Sequence, residues 1–308
     1  MNTTMPINAA TAFVPESSTP THIDQTLPVA NTAILTKHQK LPLIAPALTA
    51  LGFHLQLSED FDTDTLGTFA GEIPRQLSPL ECVKTKAKLA AELTGLRFGI
   101  GSEGSFGGGP MPSLVNWDDE LLCMYDSKVQ QFIIARSAGP VALSSLITDD
   151  LAMLQAHIEK SSADGSTDLS SHQGWICTSS AGLVKGLIGF SALLSHLQAS
   201  GLLNSAEQLC EKITISPDLR AHLCPERQQY IQQAAVQLAE RIRARCPACA
   251  AADFWRKAAE TGLPCAACDY PTPQIKHYIK QCDCCGHKEY ESAVSEYADP
   301  AHCPLCNP

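Results

Sequence analysis

No stretch of this sequence approaches the roughly 20 consecutive apolar residues that a membrane-spanning helix needs, although apolar types make up 44% of its 308 residues. A soluble globular chain with no membrane partner is therefore expected. Positive charge is scarce as well: 22 Lys and Arg against 32 Asp and Glu leave a net charge of -10. An acidic chain repels phosphate backbones and lacks the basic footprint that nucleic-acid binding requires. Residues 1–31 have neither a basic start nor a continuous apolar stretch, which excludes a secretory signal. Their richness in Thr, Pro, Ala and Ser reads as a disordered leader. The chain also lacks a glycine-rich Walker loop, a nucleophile elbow and any repeat of fixed period before its last fifth.

What it has in abundance is cysteine near the C-terminus. Eight of its 14 cysteines form four Cys-x-x-Cys pairs, Cys246/Cys249, Cys265/Cys268, Cys282/Cys285 and Cys303/Cys306, separated by 15, 13 and 17 residues. A tight turn lets each pair put two thiolates on one metal, and two pairs complete a closed tetrahedron, so eight ligands imply two structural zinc ions. A disulfide framework is the alternative, but Cys82, Cys123, Cys177, Cys210 and Cys224 are scattered without pairing logic, which suits a reducing cytoplasm. Cys284 is the odd thiol once Cys282 and Cys285 are taken together, and His287 and His302 sit beside the pairs as surface residues. The loop lengths favour sequential pairing, with the first four cysteines on one zinc and the last four on the other, a double zinc ribbon. Interleaved pairing, a cross-brace, is the other wiring. From Arg241 to Pro308 eight Lys and Arg balance eight Asp and Glu, so this region suits a structural role or a protein partner better than nucleic acid. Its few large apolar side chains make its fold depend on metal.

Upstream, helical and alternating patterns interleave, which predicts an α/β class with a mixed sheet over residues 32–244 and the zinc region over 245–308. Strands are expected at 32–36 and 53–57 around a helix that ends at Gly52. Ser78-Pro79-Leu80-Glu81 is a capping box with proline in the first turn, opening a helix to about Thr94. A strand at 97–101 is expected to leave into a glycine-rich loop over 102–109, followed by a hairpin at 120–125 and 130–136. Residues 142–158 and 183–203 read as helices, 175–178 and 213–215 as strands, and 225–243 as a long amphipathic helix.

The chemistry-bearing residues gather in the first of these elements. Thr36-Lys37-His38-Gln39-Lys40, at a strand-to-helix junction, combines a hydroxyl, two lysines and backbone amides, the ingredients of a phosphate site. Its plain alternative is solvated charge at a helix start. Glu81, Lys84 and Lys88 share a helix face by spacing, and Ser102-Glu103-Gly104-Ser105 follows a strand where glycine lets a ligand approach. Asp62 and Asp64, with Glu59 and Asp60, form an acidic turn. Asp218-Leu219-Arg220-Ala221-His222 reads either as a capped helix start or as donors to a purine carbonyl.

The order Thr36 to Lys40, Gly71-Glu72-Ile73, Ser78-Pro79-Leu80-Glu81 before a lysine-rich helix, and Gly99-Ile100-Gly101-Ser102-Glu103-Gly104 resembles the inosine/xanthosine triphosphate pyrophosphatase superfamily, in a branch that acts on non-standard purine nucleotides. The resemblance covers about a third of the chain. It implies that Lys37 and Lys40, with Lys84 nearby, contact the phosphates of a nucleotide, and that Glu81 and Glu103 hold magnesium, Glu103 also orienting the attacking water. The turn carries one carboxylate where that superfamily has an adjacent pair, and its Ser-His-Arg purine-reading motif has no clear counterpart. These departures favour a second reading, a non-catalytic adaptor that docks a protein partner through its zinc region. As a whole, the chain resembles more closely a bacterial family of unknown function with a cysteine-rich end, through Thr36-Lys37-His38, Asp62 to Phe69, Ser102 to Gly107, Asp218 to His222 and the closing Cys-x-x-Cys-Asn-Pro.

Overall fold

Apolar runs separated by capped helices build a five-stranded sheet. The computed structural model describes residues 5–6, 29–36, 39–58, 77–107, 109–110, 115–160, 173–293 and 295–308. Contacts divide the chain into two units, Ser18–Val236, and Met1–Ser17 with Gln237–Pro308.

In the first unit, strand β2 (Ala30–Leu35) leads into helix α1 (Leu41–Thr49), β3 (Phe53–Leu57), helix α2 (Pro79–Thr94), and the strands β4 (Phe98–Phe106), β5 (Trp117–Asp126) and β6 (Gln131–Pro140). The strand order is β3-β2-β4-β5-β6, with β2 parallel to β3 and β4 and the other pairs antiparallel. The chain crosses from β2 to β3 through α1 and back past β2 to β4 through α2. Right-handed connections then put the two helices on opposite faces of the sheet.

Helix α2 begins as its sequence dictates. Ser78 Oγ accepts from the Glu81 amide at 3.2 Å while Glu81 Oε2 accepts from the Ser78 amide at 3.0 Å, and Gly95 closes the helix at φ 68°. Val83, Ala87 and Ala91 pack it on Leu121, Cys123 and Tyr125 of β5. Two glycines set how closely it approaches. A Cβ at Gly99 would lie 2.1 Å from the Ala87 carbonyl oxygen, and one at Gly101 would lie 2.3 Å from that of Val83, so any side chain there would push helix and strand apart.

The same unit contains a second, antiparallel sheet, β7 (Leu146–Thr148), β8 (Gly174–Ser179), β9 (Gly182–Ile188) and β10 (Ile213–Pro217), in the order β7-β10-β8-β9. Helices α3 (Leu151–Lys160) and α4 (Gly189–Ala199) pack on it around buried Trp175, Leu154, Leu193 and Ile215. The division between the units falls inside helix α5 (Pro225–Arg243).

Three expected elements differ. The loop expected over 102–109 is strand as far as Phe106, because Ser102 to Phe106 continue the ladder against Leu122 to Asp118. The helix expected over 142–158 is β7 followed by α3: Asp150 Oδ1 accepts from the Ala152 and Met153 amides at 2.8 and 3.3 Å and starts the helix there. The helix expected over 183–203 is β9 followed by α4, with Gly186 and Gly189 at φ 80° and 72° breaking the helical run. In the leader, Met5–Pro6 form a two-residue strand, β1. The end of the expected leader is ordered, since Ala30 and Asn31 already belong to β2, while residues 1–4 and 7–28, the acidic turn at 59–64 and Gly71 to Ile73 lie outside the described residues.

The second unit is a four-stranded antiparallel sheet in the order β1-β11-β12-β13, with β11 at Trp255–Thr261, β12 at Ile275–Gln281 and β13 at Lys288–Ser292. No helix among the described residues is long and apolar enough to cross a membrane.

Candidate functional site

Each Cys-x-x-Cys pair folds into a tight turn in which a backbone amide reaches back to the carbonyl of the first cysteine: Ala250 to Cys246 at 2.8 Å, Asp269 to Cys265 at 3.0 Å, Gly286 to Cys282 at 3.0 Å and Asn307 to Cys303 at 2.8 Å. The residue after the second cysteine is left-handed in three of them, Ala250 (φ 58°), Asp269 (φ 58°) and Gly286 (φ 75°). Only one of these is glycine, so ring closure compels the conformation at the other two.

These turns meet in two groups, Cys246, Cys249, Cys282 and Cys285, and Cys265, Cys268, Cys303 and Cys306. Sulfur separations are 3.7 Å for Cys246 to Cys285, 3.6 Å for Cys249 to Cys282 and 3.7 Å for Cys268 to Cys303. Zinc–sulfur bonds of about 2.3 Å in a tetrahedron put sulfurs about 3.8 Å apart. Each group therefore has the donors and spacing to hold one metal ion. In the first group, the Cys285 and Cys284 amides draw the Cys282 thiol down to about 7. Cys284 stays outside both groups.

The wiring is interleaved, which corrects the expected sequential ribbons. Antiparallel strands join successive turns. β11 carries the chain from the first turn to the second, β12 returns to the third, paired from Trp255↔Gln281 to Thr261↔Ile275, and β13 runs out again beside β12. The first and third turns thus share one end of the meander, and the second and fourth share the other. A seven-residue strand spans about 20 Å, far beyond the reach of one metal, so consecutive turns are held apart. The two-residue pairing Cys265↔Ala298 fixes the far end. At the near end, Asp253 accepts from Arg241 Nε at 2.7 Å and from Lys257 Nζ at 2.6 Å, and Lys257 also pairs with Asp283. This ties the end of α5 to the third turn.

The α/β unit carries two buried polar clusters on opposite faces of the large sheet, since side chains alternate along β4. On the α2 face, Glu103 Oε2 accepts from Lys86 Nζ at 2.6 Å and from Cys82 Sγ at 3.4 Å. On the other, Lys40 Nζ donates to Ser102 Oγ at 2.9 Å and Glu120 Oε2 at 3.1 Å. There Arg227 Nε also meets Glu120 Oε1, and Arg227 Nη1 donates to the Leu219 carbonyl. Burial pushes the Lys40 ammonium down to about 8 against the pull of Glu120. Asp118, fully buried two residues from Glu120, has the Asp119 amide beside its carboxyl but no partner in good hydrogen-bond geometry for either oxygen among the described residues. Burial and the neighbouring Glu120 push its carboxyl up to about 8. Gly104 makes room for this cluster, because a Cβ there would lie 2.4 Å from both Arg227 and Glu120.

The sequence-derived candidates are distributed as follows. Lys40 and Glu103 are buried, but on opposite faces. Glu81 is exposed, its carboxylate bound by Ser78, whose hydroxyl and amide hold it below the usual range. Lys84 lies 5.8 Å above the Phe132 ring, and Lys88 pairs with Glu92 at the surface. Lys37 lies outside the described residues. Neither Glu81 nor Glu103 joins a group of three metal-binding side chains among the described residues. Asp218 binds Arg220 through Nε and Nη2 and accepts from the Gly186 amide at 3.1 Å, so its role is to hold Arg220. Residue spacing does not mark Lys86, Glu120 or Asp118 as site residues. For Lys86 a signal exists: it falls between Val83 and Ala87 on the core-facing stripe of α2.

Fold and sites define a two-part protein, a mixed α/β unit joined to a unit with two four-cysteine clusters that can bind metal. The family model described as "Domain of unknown function (DUF6671)" matches residues 86–308, and the chain belongs to that family. The match runs from α2 through both cysteine groups. Comparisons with curated proteins and with solved structures gave no match.

Proposed function

We propose that this is a zinc protein whose α/β unit hydrolyses a phosphorylated small molecule, a purine nucleoside triphosphate being the first candidate. What carries the reading is the pair of buried ionic clusters, Lys86–Glu103 and Lys40–Glu120–Arg227, whose carboxylates stand on β4 and β5. Buried ionised groups cost several kcal/mol each to desolvate and concentrate where chemistry uses them. In α/β sheets, ligands bind beyond the carboxyl ends of parallel strands where neighbouring connections leave on opposite faces. Here β2 leads to α1 and β3 to α2, and Lys40 stands at the first of those exits.

In this reading Glu103 accepts a proton from the attacking water and Lys86 orients its carboxylate. Magnesium arrives with the polyphosphate on the Glu103 face, while Lys40, held by Ser102 and Glu120, serves the other face of the sheet. The soft thiolate donors and tetrahedral spacing of the cysteine groups select zinc, in a structural role. The test is magnesium-dependent release of phosphate or pyrophosphate from a panel of nucleoside triphosphates. Turnover that falls at least ~100-fold in Glu103→Gln is expected, and no turnover of any member by folded protein contradicts the reading. The adaptor reading has its own observation: Tyr270, Tyr290, Tyr297 and Leu305 of the cysteine-bearing unit are 45 to 62% exposed, and tyrosine is enriched at protein interfaces. Loss of partner capture in Tyr290→Ser, with no nucleotide turnover in the parent, would favour it.

A further inference from the structure

Six cysteines lie outside the two metal groups, and one of them stands among groups that a nucleophilic thiol requires. Cys82 is in the first turn of α2, where its amide donates to the Ser78 carbonyl. The partial positive charge of a helix N-terminus favours a thiolate there. Its Sγ lies 3.4 Å from Glu103 Oε2, the oxygen that also accepts from Lys86 Nζ at 2.6 Å, and Lys86 is one helical turn along the same face. A thiol, a carboxylate within reach of its proton and an ammonium fixed on that carboxylate make a nucleophile, a base and an orienting group. Cys82, Glu103 and Lys86 are each 6 to 8% exposed, so a reagent that reaches them has to be small.

We propose that Cys82 is a peroxide-reactive thiol, served by Glu103 as its proton shuttle. Glu103 takes the thiol proton and the sulfur attacks one oxygen of the peroxide. The S–O bond forms as the O–O bond breaks, so sulfur is oxidised and peroxide reduced. The departing hydroxide or alkoxide recovers the proton from Glu103 and leaves as water or alcohol, and Cys82 becomes a sulfenic acid. Burial pushes Cys224 up to about 12 and raises Cys177 as well, while Cys210 and Cys284 are exposed and serve as internal references. The inference does not depend on nucleotide hydrolysis, because its readout is an adduct on sulfur.

The experiment treats the zinc-loaded full chain with equimolar hydrogen peroxide, traps sulfenic acid with dimedone and measures adducts peptide by peptide over time. Cys82 is expected to label at least ~10-fold faster than Cys210 and Cys284. Glu103→Gln should slow Cys82 at least ~10-fold without changing Cys210 or Cys284, and Glu103→Asp should retain most of the rate. Continued protection of the buried Cys123 and Cys177 reports that the variants are folded. Labelling of Cys82 no faster than at the exposed thiols, or indifferent to Glu103→Gln, overturns the proposal.

Discussion

Among the described residues from Cys246 to Pro308, the buried apolar ones other than cysteine are Phe254, Ala259, Leu263, Ile279 and Ala298. The α/β unit, by contrast, buries Ile34, Leu35, Ile44, Leu48, Ile100, Leu122, Leu154, Trp175, Leu193 and Leu197 almost completely. One region excludes water with side chains and the other has too few to do so. In the second region the first cysteine of every pair is buried, at the four points where a core would otherwise lie. There a meander places two four-cysteine groups that can each hold a metal ion, and metal–thiolate bonds are expected to supply the missing order. In the α/β unit the apolar core is large enough to carry ionic groups inside it, and these are where chemistry is proposed.

The largest expected effect follows directly. Structural zinc contributes on the order of 10 kcal/mol per site, so stripping both metals should abolish amide protection from Cys246 onwards while β4 to β6 keep theirs, read by hydrogen exchange. Equal loss in both regions would erase the contrast. Next comes Arg227→Leu, which leaves the buried Glu120 with Lys40 alone and should cost about 3–5 kcal/mol in urea unfolding of the α/β unit. Zinc content should not change.

Asp118 sharpens the comparison through pH. Its carboxyl is pushed up to about 8 in the fold against about 3.9 in the unfolded chain, so between these values the folded state binds the extra proton. The stability it contributes is whole below about pH 4 and is lost progressively as pH rises to about 8. Asp118→Asn, which cannot ionise, should therefore gain on the parent protein steadily over that window. Parallel stability curves would show that Asp118 does not titrate there. The smallest effect expected is at the exposed cap, where Ser78→Ala should cost about 1 kcal/mol, read as a shift in the urea midpoint.

Local chemistry was legible in the sequence. The capping box at Ser78 and Glu81, the hairpin of β5 and β6, the whole of α5 and the eight cysteines that gather in the two groups can be read from spacing alone, since each depends on residues a few positions apart. The buried network was not. Lys40 meets Ser102 across 62 positions and Arg227 meets Glu120 across 107, and no period in the chain marks such pairs. The pairing of the cysteine turns failed for a related reason: loop length says which turns are able to meet, while strand direction says which do. The alternating residues Ile275, His277 and Ile279 held that information.

The most direct test of the interleaved arrangement counts zinc in two double variants after challenge with a chelator that leaves the parent protein at two ions per chain. Cys246→Ser with Cys282→Ser removes two ligands from one group and spares the other, so one zinc should remain. Cys246→Ser with Cys265→Ser weakens both groups, and none should remain. The reverse result, none in the first variant and one in the second, would mean sequential ribbons and would contradict the meander that places these turns.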